Sequence, residues 1–217
     1  MKKLLRDAAF FAELTELFLQ EGCSELSVAA IAARLRCSRR RLYEFAETKE
    51  QLFNLVAERF FDAMLAEGDE QIRIHPNPME ALTAFFDVGL HGGAKMSAPF
   101  LRDVEASAQA RALFDRLQDT RAAGIGRLVD IGVQQGLFAP FHGQFVYEFI
   151  RGATQRLRQP GVLERTGLTL EEVAKELYRV LFSGLLADGA AEARRHWQLP
   201  RENGADHTNG VDGTLPN

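Results

Sequence analysis

Residues 27–52 read SVAAIAARLRCSRRRLYEFAETKEQL. Ser27 precedes Val28 and Ile31, apolar residues at helical spacing, and therefore predicts the N-cap of a short helix. Ser38 predicts a second N-cap only a few residues later. Two short helices joined by a tight turn, the second one basic and exposed, indicate a helix-turn-helix.

Positive charge is concentrated in the same stretch. A window of eight residues contains no acid and five arginines, which are Arg34, Arg36, Arg39, Arg40 and Arg41. The net charge of −4 would argue against a nucleic-acid partner if charge were evenly spread, but it is not. The window predicts a nucleic-acid patch, and a solvated helix face is the alternative.

The rest of the chain also has helical periodicity, so an all-α fold of about nine helices is expected. Gly22 ends the first helix, and capping residues such as Thr48 and Asn77 begin later ones. The predicted organisation is a three-helix helix-turn-helix domain at 1–47, a larger helical regulatory and dimerisation domain at 48–197, and a tail at 198–217. The tail is rich in Gly, Asn, Asp and Thr and is expected to be disordered.

Several classes of protein lack support in the sequence. Apolar stretches fall short of the roughly 20 residues that span a bilayer, so no membrane partner and a cytoplasmic location are predicted. Cys23 and Cys37 form no CxxC pair, so no metal site is expected. No HExxH, P-loop, GxSxG or glutamate followed three residues later by histidine occurs, which predicts a non-enzyme without catalytic residues or a cofactor.

The segment from Phe10 to Leu52 resembles the DNA-binding domain of TetR-family transcriptional repressors. The residues that carry the resemblance, at that family's spacing, are Leu17-Phe18, Gly22, Ser27-Val28, Ile31-Ala32, Ser38, Leu42-Tyr43, Lys49-Glu50 and Leu52. It implies a bacterial, ligand-responsive DNA-binding regulator, typically a repressor released from its operator by an apolar or aromatic small molecule. The alternative is a helical small-molecule-binding or interaction protein that has lost sequence-specific DNA binding.

Three positions depart from the family pattern. Arg36 stands where the family has a small residue or glycine at the turn, and Arg40 stands where a small residue is common. Ala46 replaces a usual aromatic, and Phe45, one residue earlier, is expected to fill that space. Two of these changes add positive charge, so they bear on target sequence and turn geometry rather than on DNA binding itself.

Arg39 and Arg40 are the candidates for contact with base edges, because arginine reads guanine O6 and N7 in bidentate fashion in the major groove. The resemblance implies phosphate contacts for Tyr43 and Lys49, with a core aromatic as the alternative for Tyr43. The predicted DNA-binding residues are Ser27, Arg36, Ser38, Arg39, Arg40, Arg41, Tyr43, Glu44, Thr48 and Lys49.

The chain has 16 Phe against 1 Trp and 3 Tyr, which favours a cavity for an apolar or aromatic ligand. The predicted lining residues are Phe60, Phe61, Met64, Phe85, Phe86, His91, Met96, Phe100 and Phe114. The alternative is that this phenylalanine stripe is plain hydrophobic core.

The resemblance also implies a two-fold homodimer formed through the last two helices. The predicted interface residues are Phe145, Phe149, Gly152, Val173, Leu177, Val180, Gly184 and Leu185. Burial within one subunit would produce the same apolar pattern.

Overall fold

The computed structural model describes residues 2–157 and 161–185, and within these ranges the chain is helical with no strand. The ten helices are α1 Lys2–Glu21, α2 Val28–Arg34, α3 Arg39–Tyr43, α4 Lys49–Ile74, α5 Pro78–Lys95, α6 Ala98–Ala106, α7 Ala108–Gln134, α8 Gly143–Leu157, α9 Val162–Thr166 and α10 Leu170–Leu185. The predicted all-α class is confirmed. The nine predicted helices are present, and the five-residue α9 is an addition. The predicted tail at 198–217 lies outside the described residues.

The helices of the helix-turn-helix begin at the predicted caps. Ser27 Oγ accepts a hydrogen bond from the Ala30 amide at 3.1 Å, and Ser38 Oγ accepts one from the Arg41 amide at 3.2 Å. Thr48 caps α4 in the same way. Each cap satisfies an amide that has no partner inside its helix, so the short helices are fixed at their starts.

The turn between α2 and α3 is a Schellman motif. The Arg36 amide donates to Ala33 O at 3.2 Å, and the Cys37 amide donates to Ala32 O at 2.9 Å. Arg36 itself has a φ of 49°, a left-handed conformation that favours glycine. This conformation explains why the family has a small residue or glycine at this turn. Arginine adopts it only with some steric strain in the backbone.

Two hydrophobic cores lie along the molecule. The first joins α1 to α4 with α6 and the first half of α7, and includes Phe18, Phe53 and Phe100. The second joins α5, the second half of α7, α8 and α10, and includes Phe86 and Val146. Because the first core crosses the predicted boundary at residues 47 and 48, the helix-turn-helix packs directly on α4 and α6.

Phe45 fills the space expected of it. Its ring stacks on Phe10 with centroids 5.2 Å apart, and it meets the edge of Phe11 at 4.6 Å. The aromatic that is missing at Ala46 is thus replaced by its neighbour, and the end of α3 stays anchored to α1.

Candidate nucleic-acid interface and ligand cavity

The α2–α3 turn and α3 present an exposed basic face. Arg36, Arg39 and Arg40 are exposed, and within the described part of the chain no acidic side chain pairs with them. Tyr43 is 51% exposed, which excludes the core-aromatic alternative for this residue. These four side chains are available to an anionic partner, as the sequence predicts.

The other two arginines of the basic window are held by acids. Arg34 pairs with Glu21 at the end of α1. Arg41 pairs with Asp7 and, at 2.6 Å, with Glu44, and these hydrogen bonds raise the pKa of its guanidinium. Arg41 and Glu44 therefore pair with each other in this structure, and their contact with DNA stays a prediction.

Lys49 also has a different role from the predicted phosphate contact. Its ammonium nitrogen donates to the carbonyl oxygens of Cys23, Ser24 and Leu26 at 2.9, 3.0 and 2.9 Å. An ammonium has three N–H donors, and all three are used. Lys49 is therefore a positioning residue that fixes the turn ahead of α2 to the start of α4.

The three predicted serine and threonine contacts keep a donor for DNA. Ser27, Ser38 and Thr48 are exposed at helix starts, where each hydroxyl oxygen accepts a backbone hydrogen bond. The hydroxyl hydrogen is still free to donate, and backbone amides with it suit a phosphate oxygen.

A buried carboxylate on α6 binds the turn after α1. Asp103 accepts hydrogen bonds from the amides of Cys23 and Ser24 and from the Ser24 hydroxyl. Gly22 has a φ of 72°, and a Cβ there would lie 2.6 Å from Asp103 Oδ2. Sequence reasoning missed Asp103 because the contact joins residues about 80 positions apart and leaves no local pattern.

A cavity of about 90 Å³ lies between α4, α5, α7, α8 and α10. Met64, Met96 and Phe114 line it, as predicted. The structure does not bring the other six predicted residues to it: Phe61 and Phe100 lie in the first core with Phe60 packed against it, Phe85 and Phe86 lie in the second core, and His91 is exposed. Phenylalanines at helical spacing face the packed core here, as the plain-core alternative expects.

Arg121 of α7 also lines the cavity and is 6% exposed. Its Nη2 donates to Phe85 O at 2.8 Å, and its Cζ lies 4.5 Å from the centre of the Phe85 ring. Its Nη1 is buried and has no hydrogen-bond partner among the described residues. The sequence does hold a signal for it, because Arg121 falls between Leu117 and Ile125 on the apolar stripe of α7.

The predicted dimer residues fall into two groups. Phe145, Phe149 and Val180 are 61%, 41% and 59% exposed, and Gly152 and Gly184 are exposed beside them. Val173 and Leu177 instead line the cavity, and their part in an intersubunit surface stays a prediction. The Leu185 side chain lies outside the described residues.

Metal-binding clusters and membrane-spanning helices are both absent from the described residues. No group of three or more His, Cys, Asp or Glu side chains there is placed to hold a metal ion. None of the helices described combines the length and the apolar character needed to cross a membrane.

The family model described as "Bacterial regulatory proteins, tetR family" matches residues 11–56. This segment contains α2, α3, the basic face and the start of α4. The family that the resemblance implied is thus the one whose model matches this N-terminal segment. Among curated protein sequences none matches the chain.

Solved structures share the fold over most of the chain. The ketosteroid transcriptional regulator KstR2 of Mycobacterium tuberculosis is 19% identical, with a TM-score of 0.56 over 84% of this chain and 96% of that one. A putative transcriptional regulator from Saccharomonospora viridis, in complex with choline, is 12% identical, with a TM-score of 0.66 over 86% and 100%. FadR from Bacillus subtilis, in complex with stearoyl-CoA, is 13% identical, with a TM-score of 0.57 over 81% and 97%.

Proposed function

We propose that this protein is a ligand-responsive transcriptional regulator that acts on DNA in the cytoplasm, most typically as a repressor released by a small molecule. The observation that carries the proposal is the exposed set Arg36, Arg39, Arg40 and Tyr43 inside the segment that matches the family. No acid in the described part of the chain competes for these cations, so phosphates and base edges are their natural partners.

The four residues of this set make two kinds of contact with DNA in this proposal. Arg39 and Arg40 lie at the start of α3, the part of a recognition helix that meets base edges, and read sequence. Arg36 and Tyr43, with the hydroxyls of Ser27, Ser38 and Thr48, bind phosphates and set the register of the protein on the duplex. The helix-turn-helix that reads DNA is thus residues 1–47, with Thr48 adding a phosphate contact at the boundary, and residues 48–197 are the domain proposed to bind the effector and the partner subunit.

A homodimer would cover the exposed apolar surface of α8 and α10. The rings of Phe145 and Phe149 lie side by side, 6.5 Å apart, and Val180 is exposed on α10. Exposed glycines at 152 and 184 leave room for a second backbone to approach. Two-fold pairing would give two recognition helices, and sedimentation equilibrium should report a dimer at micromolar concentration; a monomer would contradict this part of the proposal.

The cavity is the proposed effector site, and the contacts around α6 supply a route to the DNA face. Met96 lines the cavity directly before α6, and the Ser97 amide donates to Leu19 O of α1 at 3.0 Å. Asp103 of α6 and Lys49 of α4 both bind the turn ahead of α2. A ligand that favours another placement of α4 or α6 would therefore shift the population of recognition-helix positions.

Selection from a pool of random-sequence duplexes tests the proposal, because the protein itself then chooses its operator sequence. The expected product is an inverted repeat with half-sites separated by about one helical turn or a multiple of it. A pool that gains no sequence preference would favour the alternative, a helical binding protein that has lost sequence-specific DNA recognition.

A further inference from the structure

We propose that the cavity between α4, α5, α7, α8 and α10 binds a small apolar acid, and that Arg121 holds the carboxylate of this acid. The inference rests on the proposed function in one respect, since it treats this cavity as the effector site. It adds the chemical class of the ligand, an organic anion with a short apolar body, and the residue that selects it.

Arg121 is buried although its side chain carries a charge. A guanidinium carries five N–H donors and stays charged, so its removal from water is costly unless anions or acceptors replace the solvent. Here one nitrogen donates to Phe85 O at 2.8 Å, while Nη1 is buried without a partner among the described residues. This donor belongs to a side chain that lines the cavity, and it lacks the acceptor that a carboxylate would supply.

Among the described residues, no acid forms an ion pair with Arg121. Glu171 is the acidic residue among the described lining residues, but it lies 38% exposed at the rim and pairs with Lys175 at 2.9 Å. Asp119, two positions before Arg121 on α7, pairs with Arg151. The positive charge inside the cavity is therefore available to a ligand.

Gly89 lets two polar side chains come together at the wall of the cavity. A Cβ on this residue would lie 2.9 Å from both Arg121 Cζ and Tyr178 Oη, so the guanidinium and the phenol converge on the same point of α5. The Tyr178 ring is stacked on Phe86 at 3.9 Å, which holds its hydroxyl in place. Tyr178 is thus positioned to donate a second hydrogen bond to the carboxylate.

The remaining wall suits a short apolar body. Leu117, Ile125, Ile150 and Leu177 are among the lining side chains, and the volume of about 90 Å³ is small. An aromatic or short aliphatic group fits this environment better than a long chain does.

The test uses two pairs of probes that differ in charge but hardly in shape, phenylacetate with phenylacetamide and hexanoate with hexanamide. Titration calorimetry on the full-length protein without DNA should show that at least one acid binds, and that its amide binds at least about tenfold more weakly. Equal binding of acid and amide, or no binding by either acid, overturns the proposal.

Substitution of Arg121 provides the second arm. Arg121→Met should weaken binding of the acid by about tenfold or more and leave the amide unchanged, while Arg121→Lys should keep part of the preference for the acid. Arg127→Met is the matched control, since Arg127 is an exposed arginine on the same helix. Unchanged acid binding in Arg121→Met would overturn the assignment.

Thermal unfolding separates a ligand anchor from a structural arginine. If Arg121 serves a ligand, Arg121→Met in the free protein should melt no lower than wild type, because a buried charge without an acid partner is removed. A clearly lower melting temperature together with unchanged acid preference would identify a purely structural residue and contradict the proposal.

DNA binding by the same proteins distinguishes the effector site from the proposed function. Arg121→Met should retain wild-type affinity for the DNA selected above, because Arg121 is remote from α3. A wild-type protein that binds its selected DNA but shows no preference for either acid would leave the proposed function standing and refute this inference. Acid binding by a wild-type protein that recognises no DNA would support this inference and refute the proposed function.

Discussion

Arginines that have no acidic partner among the described residues occur in two very different environments of this protein. Arg36, Arg39 and Arg40 lie exposed on the helix-turn-helix, whereas Arg121 is 6% exposed beside a cavity. An unpaired guanidinium in water has a low free-energy cost, so one exposed arginine is weak evidence for a binding site. It becomes informative only together with its neighbours and the helix that carries it. A buried guanidinium has a large desolvation cost, so a single buried arginine is already evidence for a binding site.

Arginines that are close in sequence also differ in whether an acid pairs with them. Arg34 and Arg41 flank the exposed three, but Glu21, Asp7 and Glu44 hold them. Charge density along the chain therefore overstates the cationic surface by two residues. Of the five arginines in the basic window, only Arg36, Arg39 and Arg40 form the exposed basic face.

The largest expected effect comes from the exposed pair at the start of α3. The double variant Arg39→Ala with Arg40→Ala should weaken binding to the selected DNA by about 100-fold or more, because each bidentate arginine contact contributes about 1–3 kcal/mol. Fluorescence anisotropy measures this affinity, and the preference for the selected duplex over a scrambled one should fall with it, because these arginines read base edges.

Arg34→Ala is the control for that variant. It removes a charge from the same window, but one that is already paired with Glu21. We expect an affinity within about threefold of wild type, since exposed ion pairs contribute little. Comparable losses in Arg34→Ala and in the double variant would remove the distinction between held and available arginines.

An intermediate effect is expected at Lys49. Lys49→Met removes the donor to three carbonyl oxygens of the turn at 23–26, of which Cys23 O keeps the Leu26 amide as a second donor. The change should lower the free energy of unfolding by about 2 kcal/mol. Urea denaturation measures this loss. At temperatures where the variant is folded, the salt dependence of its DNA binding should match wild type, and a shallower slope would restore Lys49 as a phosphate contact.

The smallest expected effect is at the turn between α2 and α3. Arg36→Gly should raise the free energy of unfolding by roughly 0.5 kcal/mol, because glycine adopts the φ of 49° without steric cost but loses more chain entropy on folding. The same variant should bind DNA more weakly. Thermal unfolding and anisotropy, measured together, would then move in opposite directions, and lower stability would contradict the turn analysis.

The helix-turn-helix could be predicted from sequence because its determinants are local. Ser27 and Ser38 cap the helices that follow them, and the apolar spacing of α2 identifies its buried face. The roles of Lys49 and Arg41 could not be predicted, since both depend on partners contributed by another helix or turn.

The cavity was predicted less well because phenylalanine at helical spacing has the same pattern in a core and in a pocket wall. Phe61, Phe86 and Phe100 are buried in packed cores, while the cavity wall is mainly aliphatic. Which face of α10 turns inward depends on its packing against α5. That packing takes Val173 and Leu177 to the cavity and leaves Val180 exposed.

The most direct test of the account is the affinity of the wild-type protein for its selected duplex and for a scrambled duplex, measured by anisotropy over a range of salt concentrations. The account predicts tight binding that weakens steeply with salt and strongly prefers the selected sequence. Equal affinity for both duplexes, or binding to neither, would contradict the central claim that α3 reads DNA.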